Sequence, residues 1–297
     1  MSFFYLTPVK VAGITIIRNA LKFDYPVTES IRSILPLVDK MYVGVGNSQD
    51  DTRGLIESIA SEKLVIIDSV WDERLREGGK VLAVETNKVL DAVPADFDWI
   101  FYIQADEILH EEGIPFIREA LSQHLRDSRV EGLLLKYRHF YGHYRYFGDS
   151  RRWYTREVRV VRNLKSVRSF RDAQGFRIDN RLMRVKLVDA YIHHYGWVKN
   201  PVFQLAKDKE FQKLWHSDER LAKRKVEATE YDYKNIDSLS LYQGTHPAVM
   251  KERIQAADWD FVFDTEVKNF SFKDSILNFI ERITGYRLFK YKNYKII

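Results

Sequence analysis

Short apolar runs alternate with amphipathic segments along the first half of the sequence. The apolar runs predict β-strands over residues 11–17, 41–45, 64–67 and 99–103. Between the first two runs lies a stripe with the spacing of a helix packed on a sheet, formed by Val27, Ile31, Ile34, Leu35 and Val38. Strand, helix and strand in this order form a βαβ unit. The first half is therefore predicted to be an α/β fold, with a parallel sheet covered by helices.

The same patterns extend the prediction to about residue 200. Thr52 is expected to cap a short helix, residues 80–93 to form a longer one, and the apolar spacing of residues 114–125 to form another. Strand patterns follow over residues 132–137, 157–161 and 184–188. We expect them to complete a mixed, mostly parallel sheet flanked by helices.

The chain becomes charged and helical in pattern after this point. We therefore predict two parts, a core domain over residues 1–200 and a helical C-terminal extension over residues 201–297 that packs on the core. Residues 285–297 carry four basic side chains and no acid, and they follow an apolar helical stripe. This segment can lie on an anionic membrane surface, or it can pack on the core with its basic side chains in water. Packing on the core is favoured.

Composition limits the chemistry available to the chain. Of the 297 residues, 45% are hydrophobic, which is enough to bury a substantial core. Cysteine is absent, so any metal must be held by Asp, Glu, His or phosphate oxygens, which favours a hard cation. The net charge of +5 fits an anionic ligand, an anionic membrane or a nucleic acid. No apolar run approaches the roughly 18 residues that span a bilayer, and no leader pattern is present, so we expect a cytoplasmic protein.

One buried strand pattern ends abruptly in polar residues. The apolar run over residues 99–103 is followed by Gln104, Ala105, Asp106 and Glu107. Ligands of open α/β sheets bind outside the carboxyl ends of strands, and an acid there can hold Mg²⁺ or Mn²⁺ against a diphosphate. The two acids can equally cap the helix that follows, because acids favour the positive end of a helix dipole. Sequence spacing does not decide between these interpretations.

Other candidate residues lie in segments that turns and caps explain equally well. Asn47 follows the second strand in a small, polar stretch that leaves room for a nucleoside. Lys80 opens a helix after two glycines, so it could meet a phosphate, and Asn87 lies two turns along that helix. His193 and His194 are adjacent, and such pairs are more often structural than metal-binding unless one folds back onto Asp106.

Taken together, several segments resemble the family 2-like glycosyltransferases with the GT-A type of nucleotide-sugar-binding fold. The resemblance covers about residues 11–200. In chain order, it rests on Ile17-Arg18-Asn19, on Val38-Asp39-Lys40-Met41 leading to Asn47-Ser48-Gln49-Asp50-Asp51-Thr52, on Glu85-Thr86-Asn87, and on Tyr102-Ile103-Gln104-Ala105-Asp106-Glu107. It implies a GT-A, Rossmann-like fold that binds a nucleotide-diphospho-sugar and passes the sugar to a glycan or lipid-linked acceptor.

The resemblance also assigns roles to individual residues. Gln104-Ala105-Asp106 stands in place of the family's Asp-x-Asp motif, which implies that Asp106 binds Mn²⁺ or Mg²⁺, with His193 or His194 completing the metal shell. Gln104 replaces the first acid, and this should weaken the hold on metal. The nucleotide-sugar is expected to contact a set of residues comprising Arg18, Asn19, Asn47, Lys80, Asn87, Gln104, Ala105 and Asp106. Asp172 is the first candidate for the base that deprotonates the acceptor, and Glu157 is the second.

The expected function is therefore a metal-dependent, inverting glycosyltransferase of envelope or surface polysaccharide synthesis, without a nucleic-acid partner. Two alternatives stay open. A sugar-phosphate nucleotidyltransferase would normally carry a glycine-rich loop after its first strand, where this chain has Arg18-Asn19-Ala20. A nucleic-acid-binding or polysaccharide-binding protein would use aromatic and basic runs such as Tyr137-Arg138-His139-Phe140-Tyr141.

Overall fold

The computed structural model describes residues 9–75, 77–213 and 228–297. Its strands are β1 (Val11–Ile17), β2 (Lys40–Gly46), β3 (Leu64–Ser69), β4 (Trp99–Tyr102), β5 (Glu107–Leu109), β6 (Gly132–Tyr141), β7 (His143–Gly148), β8 (Arg156–Arg162), β9 (Val167–Phe170), β10 (Gly175–Ile178), β11 (Met183–Trp197), β12 (Leu239–Leu241) and β13 (Tyr294–Ile296). All but β9 and β10 belong to one mixed sheet, whose main path is β12-β7-β6-β8-β4-β1-β2-β3. Strands β9 and β10 form a separate antiparallel pair.

The first four strands form a parallel block in the order β3-β2-β1-β4. The chain therefore adds β2 and β3 on one side of β1 and returns to place β4 on the other. A crevice opens outside the carboxyl ends of the strands where the order reverses, which here is between β1 and β4. Beyond β4 the sheet turns antiparallel through β8 and β6.

Helices cover both faces of this sheet. They are α1 (Val27–Ile34), α2 (Thr52–Glu57), α3 (Lys80–Ala92), α4 (Ile114–Gln123), α5 (Pro201–Lys213), α6 (Lys251–Gln255) and α7 (Phe272–Thr284). One core joins the sheet to α1, α2 and α4 through Ile31, Ile56 and Ile117, and a second core on the opposite face includes Val89 of α3. The predicted α/β fold, with a mixed sheet flanked by helices, is confirmed.

Two helix boundaries differ from the predicted ones for local reasons. The apolar stripe of α1 continues to Val38, but the helix ends at Ile34, because Pro36 has no N–H to donate to the carbonyl of Arg32. Asp51, not Thr52, is the N-cap of α2, and its carboxylate accepts a hydrogen bond from the Gly54 N–H.

The chain beyond residue 200 contributes strands as well as helices. Strand β12 pairs with β7, and β13 pairs with β11 in parallel register. Glu281 at the end of α7 contacts both Arg151 and Arg287, and the Lys290 ammonium donates to the Arg151 carbonyl at 2.8 Å. The basic tail is thus attached to the core, although the division at residue 200 stays a prediction. Across the residues that the structure describes, no helix has the length and apolar character needed to cross a bilayer.

Candidate functional site

A pocket of about 350 Å³ lies at the reversal point of the strand order. Arg18 and Asn19, which follow β1, line one side of it, and Gln104, Ala105 and Asp106, which follow β4, line another. The sequence placed all five in one site, and the parallel pairing of β1 with β4 explains why they meet. A pocket at this position is where an open α/β sheet binds its ligand.

An aromatic ring and a guanidinium form one wall of the pocket. The Arg18 guanidinium carbon lies 5.8 Å from the centre of the Trp71 ring, and its Nε donates to the Asn47 carbonyl at 3.2 Å. The Asn47 side-chain oxygen in turn accepts from the backbone N–H of Trp71 at 3.1 Å. A Cβ added at Gly46 would come within 2.5 Å of the indole nitrogen, so only glycine lets Trp71 pack here. A planar ring beside a cation suits a nucleoside and its phosphate.

Asp106 is the main charge of the pocket, with a side chain that is 14% exposed. Its Oδ2 accepts from the Lys207 ammonium of α5 at 3.1 Å, and Lys207 also donates to the Gly196 carbonyl at 2.9 Å. Burial, the largest single effect, opposes ionisation of Asp106, but its charged neighbours, led by Lys207, together outweigh it and hold the pKa of the carboxyl below its usual range. A Cβ at Gly196 would lie 2.7 Å from Oδ2, so this glycine leaves room for the carboxylate.

The second oxygen of Asp106 faces a histidine. His194 Nε2 lies 3.6 Å from Asp106 Oδ1, which is too long for a hydrogen bond. On the other side of the ring, His194 Nδ1 lies 3.3 Å from Nδ1 of His139, whose Nε2 lies 2.8 Å from the Tyr154 carbonyl oxygen. Burial lowers the pKa of both histidines, His139 well below its ordinary value, so both rings are neutral.

These contacts determine which nitrogen of each ring carries the proton. A carbonyl oxygen only accepts, so His139 must donate through Nε2, and its Nδ1 is an acceptor. His194 must then donate through Nδ1, which leaves the lone pair of its Nε2 directed at Asp106. Two acceptor atoms therefore face each other inside the pocket. A cation between them would remove their mutual repulsion, and a neighbour that fixes the tautomer in this way is typical of metal-binding histidines.

The donor atoms present fit a divalent cation. An ion about 2.1 Å from each of two ligands can contact both Asp106 Oδ1 and His194 Nε2, which are 3.6 Å apart. Within the described residues, no group of three or more potential ligands occurs. The rest of the shell would have to come from substrate phosphates and water, which Mg²⁺ and Mn²⁺ accept.

The loop that carries Asp106 is fixed by a buried ion pair. Glu107 and Arg159 are both fully buried, and the guanidinium donates to both carboxylate oxygens, at 2.7 and 2.8 Å. Glu107 also accepts from the Tyr137 hydroxyl at 2.8 Å and from the Gln104 N–H at 3.1 Å. The interpretation of Asp106 and Glu107 as caps of the next helix is wrong, because Glu107 opens β5 and α4 begins only at Ile114.

Asp172 lies where the pocket meets a second, larger cleft. It lines both, together with Tyr154 and Gln174. Glu157 lines only the cleft, and burial raises its pKa to about 7. Both candidate bases therefore line the cleft, and Asp172 also lines the pocket.

The remaining predicted site residues lie in several places. Asn19 is buried and lines the pocket, and its side-chain oxygen accepts a hydrogen bond from the Gln49 N–H at 2.7 Å. Asn87 accepts from the Ser169 N–H at 2.9 Å, which ties α3 to β9, and it lines neither cavity. Lys80 lines the cleft and not the pocket.

Of the two adjacent histidines, only His194 reaches Asp106. Successive residues of a strand point to opposite faces, and His193 instead enters an aromatic cluster, with its Nδ1 3.3 Å from the Tyr195 hydroxyl. The Phe140 and His193 ring centres are 5.1 Å apart.

Several functional residues carried no signal in the sequence. Lys207 is one of many lysines in a charged helix, and its contact with Asp106 joins residues 101 positions apart. His139 and Trp71 likewise reach the site through the sheet and a loop. Only the fold brings Trp71 and Lys207 to the pocket and His139 to the ring of His194.

Comparison with protein-family profiles gives no match. Comparison with curated proteins gives none either. Partial likenesses to solved structures include S. aureus TarS, with a TM-score of 0.42 and 15% identity over 68% of this chain and 39% of that chain. A TarS 1-349 structure in complex with UDP matches 44% of this chain and 36% of its own, with a TM-score of 0.34 and 19% identity. Glucosyl-3-phosphoglycerate synthase from Mycobacterium tuberculosis, in complex with Mn²⁺, UDP and phosphoglyceric acid, matches 44% of this chain and 43% of its own, with a TM-score of 0.29 and 19% identity. This chain thus spans about two fifths of the length of these solved chains.

Proposed function

We propose that this protein is a glycosyltransferase that binds a nucleotide-diphospho-sugar in the pocket and transfers the sugar to an acceptor. One observation carries the proposal. At the reversal point of the strand order, Asp106 Oδ1 and the lone pair of His194 Nε2 face each other across 3.6 Å, beside a wall of Trp71 and Arg18. This combination suits a nucleoside diphosphate and a divalent cation, Mn²⁺ or Mg²⁺.

Different residues of the pocket can bind different parts of the donor. Asp106 and His194 would hold the cation, which neutralises charge on the departing diphosphate when it is bound. The Lys207 ammonium already lies at the same carboxylate, and both Tyr25 and Asp106 raise its pKa against the opposing effect of burial. It therefore keeps its positive charge and can bind a phosphate oxygen. The Gln104 side-chain NH2 donates to the Ala173 carbonyl at 3.4 Å, which leaves its amide oxygen to accept a hydrogen bond from a ribose hydroxyl.

The acceptor would enter from the cleft side. In a single displacement, the acceptor oxygen bonds to the anomeric carbon, the bond from that carbon to the diphosphate oxygen breaks, and the acceptor proton passes to a carboxylate. Asp172 is our first choice for this carboxylate because it lines both cavities. Glu157 is less suited, because it lines the cleft and not the donor pocket. One displacement inverts the anomeric configuration.

A role in envelope or surface polysaccharide synthesis, with a glycan or lipid-linked acceptor, stays a prediction. So do the cytoplasmic location and the contact with the inner membrane leaflet. The attachment of the basic tail to Arg151 and β11 supports the alternative in which this segment belongs to the core.

The proposal is tested by calorimetric titration of the full chain with UDP, GDP and CDP, each with Mn²⁺ and with EDTA. We expect one of the three nucleotides to bind at least 10-fold more tightly with Mn²⁺, because Asp106 and His194 would hold a cation that neutralises the charge of the diphosphate. If none of the nucleotides binds under either condition, the donor site is wrongly assigned.

A further inference from the structure

A second cleft, of about 1480 Å³, adjoins the proposed donor pocket and shares Tyr154, Asp172 and Gln174 with it. Sites for single small ligands usually measure about 300 to 1,000 Å³. The cleft is therefore large enough for several linked units. Because the two cavities meet at Asp172, a chain bound in the cleft can bring one of its hydroxyl groups to the donor.

The cleft carries an excess of unpaired positive charge. Four cations that line it have neither a carboxylate within ion-pair distance nor a side-chain hydrogen bond among the described residues, namely Lys80, Arg156, Arg171 and Lys292. Arg138 and Lys290 also line it without a carboxylate, but they donate to the Tyr242 hydroxyl and the Arg151 carbonyl. Unpaired like charges around one concavity repel each other, and the concavity concentrates their field on any anion that enters.

The acids of the cleft do little to balance these cations. Asp149 accepts hydrogen bonds from Ser238, Ser240 and Lys268, so its negative charge is already balanced by the Lys268 ammonium. Glu281 is shared by two arginines in the same way. Burial raises the pKa of Glu157 to about 7, so this group is partly neutral. Asp172 is left at the junction with the donor pocket. The field inside the cleft is therefore positive.

One wall of the cleft is the C-terminal segment, residues 285–297, for which the sequence favoured packing on the core. Strand β13 anchors this segment on β11, and Arg287 is held by Glu281 at 2.7 Å and by the Trp153 carbonyl at 2.7 Å. The segment presents Lys292 and the exposed rings of Tyr286 and Tyr291 to the cleft. Cations next to aromatic rings suit a ligand that alternates charged groups with sugar or polyol units.

We infer that this cleft binds an anionic acceptor, a chain of sugar or polyol units that carries phosphate or carboxylate groups. The inference rests on the proposed transferase function and names the substrate class of the same site. Arginine and lysine pair with phosphate and carboxylate alike, so the two sources share one chemistry. Single-stranded nucleic acid is also anionic and stacks on aromatic rings, and the test must separate it from a carbohydrate.

The test measures, by calorimetry at two salt concentrations, how tightly four probes bind to the full chain. The probes are a short polyglycerol phosphate, an oligogalacturonate, neutral maltohexaose and a single-stranded oligothymidylate of equal charge. We expect one or both anionic carbohydrate or polyol probes to bind, more weakly at higher salt, and neutral maltohexaose to bind at least 10-fold more weakly. The ratio of the affinities for the phosphate probe and the carboxylate probe identifies the acceptor's anionic group.

Matched variants locate the binding. Arg156→Gln and Lys292→Gln should each weaken binding of the anionic probe roughly 3- to 10-fold, because each removes one charged contact. Lys165→Gln, which removes an exposed charge outside both cavities, should leave binding unchanged. Equal binding of maltohexaose, unchanged binding in both cleft variants, or tighter binding of oligothymidylate than of either anionic probe would overturn the inference.

The outcome is separable from that of the proposed function. The Mn²⁺-dependent part of nucleotide binding by the wild-type protein reports on the donor pocket, because Asp106 and His194 line the pocket and not the cleft. If an anionic probe binds in the cleft and no nucleotide binds in the pocket, the transferase proposal fails while the anion-binding cleft stands. If a nucleotide binds with Mn²⁺ and no anionic probe binds, the acceptor inference fails and the transferase proposal stands.

Discussion

His193 and His194 differ by one position, yet their surroundings have little in common. His194 faces Asp106 inside the pocket, while His193 packs among aromatic rings on the other side of β11. The sequence identified the pair as candidate ligands but could not choose between them, because the choice depends on which face of β11 meets the loop after β4. The structure adds His139, which fixes the tautomer of His194 through a contact between residues 55 positions apart.

Replacing His139 should weaken the binding of Mn²⁺ without removing Asp106 or His194 from the pocket. His139→Phe removes the acceptor for the His194 Nδ1–H, so the lone pair of Nε2 is no longer fixed towards Asp106. We expect the Mn²⁺ concentration that half-saturates nucleotide binding to rise about 10- to 100-fold, as is typical when a group behind a metal ligand is lost. His139→Gln, whose amide oxygen can accept the same hydrogen bond, should retain more affinity. Identical Mn²⁺ titrations for wild type and His139→Phe would contradict this role.

Glu157 should make stability depend on pH. Burial raises its pKa from 4.5 to about 7, so the folded protein keeps this proton where the unfolded chain has released it. The stabilisation from this proton is complete below pH 4.5 and is lost as the pH rises through 7. The free energy of unfolding of wild type, relative to Glu157→Gln, should fall by about 3 kcal/mol at most across this range. Urea unfolding at several pH values measures it, and a constant difference would show that Glu157 ionises normally.

At the scale of secondary structure, the short segment from Gln104 to Leu109 determines the site. The sequence predicted β4 and the polar residues after it, but it predicted a helix directly afterwards. The chain instead forms β5, which pairs with β11 and places Glu107 opposite His194. A three-residue strand has no periodicity to read, and its partner strand lies more than 80 residues along the chain. Its buried ion pair with Arg159 is likewise a long-range contact that local pattern cannot reveal.

Breaking the buried Glu107–Arg159 ion pair should lower the free energy of unfolding more than breaking an ion pair at the surface. Glu107→Gln leaves the fully buried Arg159 charge without its carboxylate, and we expect the free energy of unfolding to fall by about 3–5 kcal/mol. Asp96→Asn removes a surface pair in which the side chains of Lys10 and Asp96 are 53% and 59% exposed, so the free energy of unfolding should fall far less. Chemical denaturation of the two variants gives the comparison. Similar losses would mean that the buried pair does not fix the Asp106 loop.

At the scale of the whole molecule, the parallel block β3-β2-β1-β4 was predictable, because its strands and helices are contiguous in sequence and have clear periods. The rest of the sheet was predicted only in outline, since β6 and β11 pair in parallel through an irregular register. The C-terminal region was the least predictable. Its apolar stripe suggested a helix, which forms as α7, but the contacts that attach the tail to β11 and Arg151 depend on the finished core.

The molecule thus places two cavities of different character on either side of Asp172. The smaller one joins Asp106, His194 and Lys207 beneath an aromatic wall, and the larger one is lined by unpaired cations. In a transferase of the proposed kind, this arrangement separates donor from acceptor and lets them meet at one carboxylate. Both cavities depend on the same core, so variants that unfold the chain must be excluded before any loss of binding is interpreted.

The most direct test of the donor site repeats the nucleotide titration with Asp106→Asn, measured with Mn²⁺ and with EDTA. Asp91→Asn on α3 is the matched control, because its carboxylate is exposed and lies outside the pocket. We predict that Asp106→Asn stays folded by thermal denaturation and loses the Mn²⁺-dependent gain in nucleotide affinity, while Asp91→Asn behaves as wild type. A folded Asp106→Asn protein that binds the nucleotide with the wild-type dependence on Mn²⁺ would contradict the assignment of the site.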